Sequence, residues 1–291
     1  MAILRRKIDG AGDMQSVVRT MKAVAASSIN QFENAVKSLA EYDHTVAQGL
    51  GAYLMTYGTT LSPSIREGRS ETGRVGAVVF GSEQGLVGPF NEVVAGFADE
   101  KLSSLTDAPA IWAVGRRVHA CLAGKGLPLA GLFCVPSSVK AITPLIGQIL
   151  AECAEGRLRP AVTELHIYYN RPAPGTAYRP VGQRLLPLDK RWLRERATPT
   201  WLTSNLPEVI GDGVAVLRAL IREYLFVTLY RACAESLAAE NSSRLVAMQR
   251  ADKNIDERLD QLRRRFHRLR QSTIDEELFD VISGFNALSN E

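Results

Sequence analysis

The chain has 291 residues with 46% hydrophobic and 23% charged residues, the balance of a folded globular protein with room for one or two domains. A formal net charge of +4 is too small to indicate nucleic acid by itself, so only local charge placement is informative. No run approaches the roughly 18 apolar residues that span a bilayer, which excludes direct membrane insertion by a helix.

The N-terminus, MAILRRKIDGAGDMQ, carries basic residues without a continuous apolar stretch behind them and does not read as a secretory signal. From Ile8 to about Tyr53 an apolar stripe passes through Val18, Met21, Ala25, Ile29, Phe32, Leu39, Val46 and Leu50 at helical spacing. No proline interrupts it before Pro63, so the spacing predicts one helix of about 75 Å at 1.5 Å per residue.

The middle of the chain reads as α/β. Val75 to Phe80, Ala110 to Val114, Leu129 to Val135 and Val162 to Tyr169 are short β-rich runs. Helix-like stretches near Asn91 to Leu105, Arg116 to Ala123 and Ile142 to Cys153 separate them, which predicts a small Rossmann-like sheet with crossover helices. Arg66 to Gly73 reads as a linker, and Arg171 to Pro187 and Thr198 to Gly213 read as loops. GSEQGLVGPFN, Gly81 to Asn91, lies between a strand and a helix, where backbone amides can bind phosphate. It lacks the lysine and hydroxyl pair of a P-loop and the dinucleotide glycine spacing, so a tight strand-to-helix turn is the reading and no cofactor is assigned. Cys121, Cys134, Cys153 and Cys233, and the four histidines, are too scattered for a metal site, and the cysteines read as reduced thiols.

The C-terminal stripe is stricter. It starts through Leu217, Leu220, Ile221, Tyr224 and Leu229. It then follows alternating steps of three and four from Leu245 and Met248 to Leu269, with Asp252 as the one polar intrusion in a heptad seam. It runs on through Ile274, Leu278, Val281, Ile282, Phe285 and Leu288, which predicts a helix from about Val214 to Leu288. Two long helices with narrow apolar seams pair most simply as an antiparallel coiled coil, with the α/β domain inserted between them, and dimerisation with a second copy is the rival. The boundaries expected are 1–57 and 214–291 for the coiled-coil helices and 74–198 for the α/β domain. Arg263, Arg264, Arg265, Arg268 and Arg270, with Arg5, Arg6 and Lys7 at a similar height, form a basic belt that reads either as a solvated face or as a surface for an acidic protein partner, with nucleic acid as the further alternative. Asp275, Glu276 and Glu277 lack a basic or histidine companion at useful helical spacing and read as solvated carboxylates or as partners in an intermolecular salt bridge.

TMKAVAASSIN, Thr20 to Asn30, resembles the N-terminal motif of the gamma subunits of F-type ATP synthases and ATPases. ENSSRLVAMQRADKNIDERLDQL and RQSTIDEELFDVISGFNAL resemble that family's C-terminal signature, through Glu240, Arg244, Met248, Ala251, Asn254, Arg270, Gln271, Ile274, Glu277, Leu278, Gly284, Ala287 and Leu288. GSEQGLVGPFN resembles the family's Ser-Asp-x-Gly-Leu-Cys-Gly-x-Phe-Asn turn. Four residues depart from the pattern: Glu83 for Asp, Val87 for Cys, His267 for Asn and Asp275 for Thr. They suggest a divergent branch, with the N-type ATPases of some bacteria as one candidate.

The resemblance implies a non-catalytic central stalk that couples ion-driven c-ring rotation to ATP synthesis or hydrolysis in an alpha3beta3 ring. Its implied partners are the alpha and beta subunits, epsilon and the membrane c-ring, and its implied place is the cytoplasmic face of a bacterial inner membrane, held peripherally. It implies beta-subunit contacts at Met21, Lys22, Arg244, Gln271 and Glu277. Helix lengths leave Ile274, Leu278, Val281, Ile282, Phe285 and Leu288 beyond the chain start without an intramolecular partner, an apolar bearing tip for the collar of the alpha3beta3 ring. A free-standing coiled-coil scaffold and a small α/β nucleotide binder are the readings from other classes.

Overall fold

The computed structural model describes residues 1–57, 74–104, 109–155, 162–188 and 208–289, without the side chains of 74, 154, 155 and 283–289. The expected linker at 66–73 and residues 198–207 of the second expected loop lie outside the described residues. Helix α1 spans Ala2–Tyr57 and the last helix, α5, spans Gly213–Ser289, as the uninterrupted stripes require. Asp212 caps α5: its carboxylate accepts from the amide of Val214 at 3.1 Å and its carbonyl from that of Val216 at 3.0 Å. Contacts divide the chain into two compact units, Met1–Ala25 with Leu245–Glu291, and Ala26–Arg244.

The larger unit is built on a five-stranded sheet of order β3-β2-β1-β4-β5, from β1 (Arg74–Phe80), β2 (Ala110–Val114), β3 (Leu129–Phe133), β4 (Val162–Ala173) and β5 (Thr176–Leu186). The first four strands are parallel, with Gly76 paired to Ala110 on one side and to Leu165 on the other. Among the described residues the α-helices between them are α2 (Phe90–Leu102), α3 (Arg116–Gly124) and α4 (Ile142–Glu155). Central strands β1 and β2 read as unbroken apolar runs because helices cover both faces. The period of two divides them cleanly. Ala77, Val79, Ile111 and Ala113 pack on Val94, Ala98 and Leu102 of α2 and on Val118 and Leu122 of α3. Val78, Phe80, Trp112 and Val114 face the other way, towards Ile142, Ile146 and Ile149 of α4, Leu229, Cys233 and Leu237 of α5, and Phe32 of α1. Each large side chain buried there contributes about 1.5–3 kcal/mol.

The reading of Arg171 to Pro187 as a loop is corrected. β4 runs on to Ala173 and β5 returns antiparallel to it from Thr176, around a two-residue turn in which Gly175 adopts φ 79°. Prolines and glycines disguised the strand. Pro180 is tolerated because β5 is the sheet's outer strand, and Gly182 is bare because a Cβ there would sit 2.8 Å from the Tyr168 ring.

In the same unit α1 and α5 run antiparallel. Asp43 meets Arg231 at 2.7 Å, Tyr42 donates to Glu223 at 2.6 Å, and Val46, Leu50, Tyr53 and Leu54 pack with Leu217, Tyr224 and Val227.

Candidate functional site

The turn after β1 is a closed structural device. Asn91 accepts from the Ser82 amide and donates to the Ser82 hydroxyl, both at 2.9 Å, and the hydroxyl donates to the Gln84 carbonyl at 2.7 Å. A Cβ at Gly81 would lie 2.3 Å from the Val118 Cβ, and one at Gly115, where φ is 113°, would lie 2.6 Å from the Ser82 carbonyl. These groups are engaged with one another, and the turn in turn grips α5. Ser243 donates to the Val87 carbonyl at 2.6 Å, and Val87 and Phe90 pack on Ala239. Val87 is thus an apolar core side chain. Glu83 pairs with Arg116 at 2.8 Å across the start of α3.

On the same turn of α5, one residue on from Ala239 and Ser243, Arg244 donates to Glu240 at 2.7 Å. Glu240 is buried, and its second carboxylate oxygen has no partner among the described residues. Burial pushes the Glu240 pKa above its ordinary value; Arg244 opposes that rise and the charge of Glu83 adds to it. Arg244 is therefore spent on an internal carboxylate.

In the smaller unit the polar intrusion in the heptad seam finds its partners. Lys22 reaches Asp252 at 2.8 Å and Arg19 reaches it at 3.3 Å, while Gln15 donates to both Asp252 and Asp256. The hydrogen bond from Lys22 comes first among the causes that hold the Asp252 carboxyl below its usual range. Around this clamp Leu4, Val18, Ala25, Met248, Leu259 and Leu262 are buried. Lys22 was singled out by resemblance, whereas Gln15 and Arg19 were missed. The legible signal was Asp252 itself, since a carboxylate in an apolar seam requires donors across it.

The other expected contact residues are spread out. Met21 is half-buried, and Gln271 and Glu277 are exposed. Gln271 lies about 28 Å farther along α5 than Asp252, at 1.5 Å per residue, so the structure does not bring it to Lys22. All five arginines of the basic belt are exposed, with Arg263 4.0 Å from Asp260. Asp275, Glu276 and Glu277 are exposed too, and His267 stands exposed beside Phe266. Ile274, Leu278, Val281 and Ile282 are 47–71% exposed, and Phe279 joins them at 69%. The side chains of Phe285 and Leu288 lie outside those described.

Among the described residues no group of three or more His, Cys, Asp or Glu side chains is placed to hold a metal, and no helix is long and apolar enough to cross a membrane. Cys121, Cys153 and Cys233 are covered to different degrees, Cys134 is exposed, and all four are free.

The ATP-synt family model, described as ATP synthase, matches residues 1–288. The chain belongs to the ATP synthase family. Within that family it is 28% identical to an ATP synthase gamma chain of Parafrankia sp. (strain EAN1pec), with 98% of this chain and 97% of the relative covered. It is 26% identical to the ATP synthase gamma chain of Moorella thermoacetica, with 99% of each covered. The fold is that of a chain in the cryo-EM structure of the Euglena gracilis mitochondrial ATP synthase, OSCP/F1/c-ring, rotational state 3. There the TM-score is 0.62 at 13% identity, over 99% of this chain and 94% of that one.

Proposed function

We propose that this chain is the central-stalk (gamma) subunit of a rotary F-type ATP synthase or ATPase, transmitting c-ring rotation to the catalytic sites of an alpha3beta3 ring while catalysing nothing itself. Residues 1–57 and 214–291 form the shaft, and residues 74–198 form the foot, beside epsilon and on the c-ring. The complex holds it peripherally at the cytoplasmic face of a bacterial inner membrane. Met21, Lys22, Arg244, Gln271 and Glu277 meet the beta subunits. Lys22 and Arg244 each carry an internal carboxylate partner, so in this reading they offer the sleeve a fixed, neutralised polar surface.

The observation that carries the reading is the end of α5. Gln15 lies against Asp252 and Asp256, so the first residues of α1 run out beside about Arg265 to Arg270. Beyond that point Ile274, Leu278, Phe279, Val281 and Ile282 form an exposed apolar stripe. Full burial of each would contribute about 1.5–3 kcal/mol, a gain that an apolar collar supplies while making few directional bonds to a turning shaft. The scaffold reading would bury this stripe against a second copy, and the isolated chain would then be a dimer.

Hydrogen exchange on the isolated chain and on the complex reconstituted with alpha, beta and epsilon tests the proposal. Residues after Gln271 should exchange fast alone and at least tenfold more slowly in the complex. Equal protection in both states, or recovery of the chain from native membranes without those subunits, would refute it.

A further inference from the structure

The larger unit contains a second feature that the stalk reading leaves unused. A cleft of about 440 Å³ opens between α4, the β4–β5 edge and the first turns of α5. Its size falls within the range of small-molecule sites, about 300–1,000 Å³. Leu150, Leu165, Leu186, Ile221 and Leu225 make its wall apolar. Cys153 adds to that wall, because burial pushes its thiol pKa up to about 12 and keeps it neutral. Gly147 leaves part of the cleft open, since a Cβ there would meet nothing within 4 Å.

The rim has the opposite character. Arg218 and Arg222 stand one turn apart on α5, both line the cleft and both are exposed. Neither has an ion-pair partner among the described residues. Like charges at this spacing repel, so the pair weakens the helix unless an anion lies between them. The nearby Glu223 does not serve, because its carboxylate accepts from Tyr42.

We propose that the cleft binds a single-chain fatty acid, with the acyl chain against the leucines and the carboxylate between Arg218 and Arg222. An uncharged apolar ligand would leave both guanidinium groups without a counter-charge. A nucleotide would set polar atoms against a leucine wall at a desolvation cost. The cavity accommodates one acyl chain and not the two of a phospholipid.

Binding of cis-parinaric acid to the full chain, followed by its fluorescence, tests this. Saturable binding that palmitate reverses and hexadecanol does not is expected. The double variant Arg218→Gln/Arg222→Gln should lower the affinity at least tenfold. Gly147→Phe should abolish binding by filling the cleft, and it replaces a helical glycine with a better helix former, so the fold is kept. Lack of saturable binding by the unaltered chain, equal displacement by hexadecanol, or unchanged affinity in either variant overturns the proposal.

Discussion

Arg244→Ala separates the internal role of this arginine from any role towards a partner. The Arg244 and Glu240 side chains are 14% and 7% exposed, so removing the guanidinium strands a carboxylate inside the larger unit. Breaking a buried pair in this way typically costs about 3–5 kcal/mol. Protonation offers a cheaper route. Neutralising a glutamate with an ordinary value of 4.5 costs about 1.36 kcal/mol per pH unit above that value, hence at most about 3.4 kcal/mol at pH 7 and about 0.7 kcal/mol at pH 5. The wild type already bears part of this, because burial raises the Glu240 pKa even with Arg244 in place. A raised carboxyl favours the folded state below its unfolded value and loses that advantage as pH rises through the folded one. Urea unfolding of the isolated chain at pH 5 and pH 7 should therefore show a larger loss for Arg244→Ala at pH 7. Glu240→Gln added to that variant should recover most of it. Equal destabilisation at the two pH values, or no recovery in the double variant, would refute the argument.

Gly81→Ala should destabilise the larger unit by about 1–3 kcal/mol, because its Cβ would press on Val118 and Asn91 in a packed turn; an unchanged urea midpoint would count against this. The depressed Asp252 carboxyl stabilises the smaller unit above its unfolded value, and that contribution fades as pH falls through the lower folded value. Hydrogen exchange over residues 10–25 should accelerate between pH 5 and pH 3 beyond the intrinsic change in the wild type and much less in Asp252→Asn, a contrast whose absence would sink the clamp argument. Reversing Arg263, Arg264 and Arg268 to Glu should slow assembly with alpha and beta subunits at least tenfold in low salt, where exposed charges steer association. Unchanged assembly rates, with salt-dependent binding of the free chain to duplex DNA, would move the belt to nucleic acid.

The long helices and the parallel strands were legible because each obeys a single period. Apolar steps of three and four run through α1 and α5 without proline, and β1 from Val75 onward and the whole of β2 carry no polar side chain because both of their faces are covered. The β4–β5 pairing was not legible, since Pro180 and Gly182 argue locally for a loop. Only the outer position of β5 and the Tyr168 ring make them acceptable there. The contact residues were singled out by motif resemblance, and motifs do not reveal that Lys22 and Arg244 are already engaged by Asp252 and Glu240. The first pairing joins residues 230 positions apart, and the second joins neighbours on one helix whose shared burial no motif displays. Asp252 was visible as an irregularity in the seam, but nothing local says which helix would answer it.

The arrangement at Asp252 also makes tolerance to mutation uneven. Gln15, Arg19 and Lys22 rise from successive turns of α1 to one acceptor, so losing any one donor leaves two others to hold the carboxylate. The acceptor has no such reserve. A neutral residue at 252 would release two cations at once and leave Asp256 as their remaining counter-charge in the clamp. Genetic drift can therefore rewrite the α1 side of the clamp one position at a time, whereas a change at 252 requires compensation at several positions together.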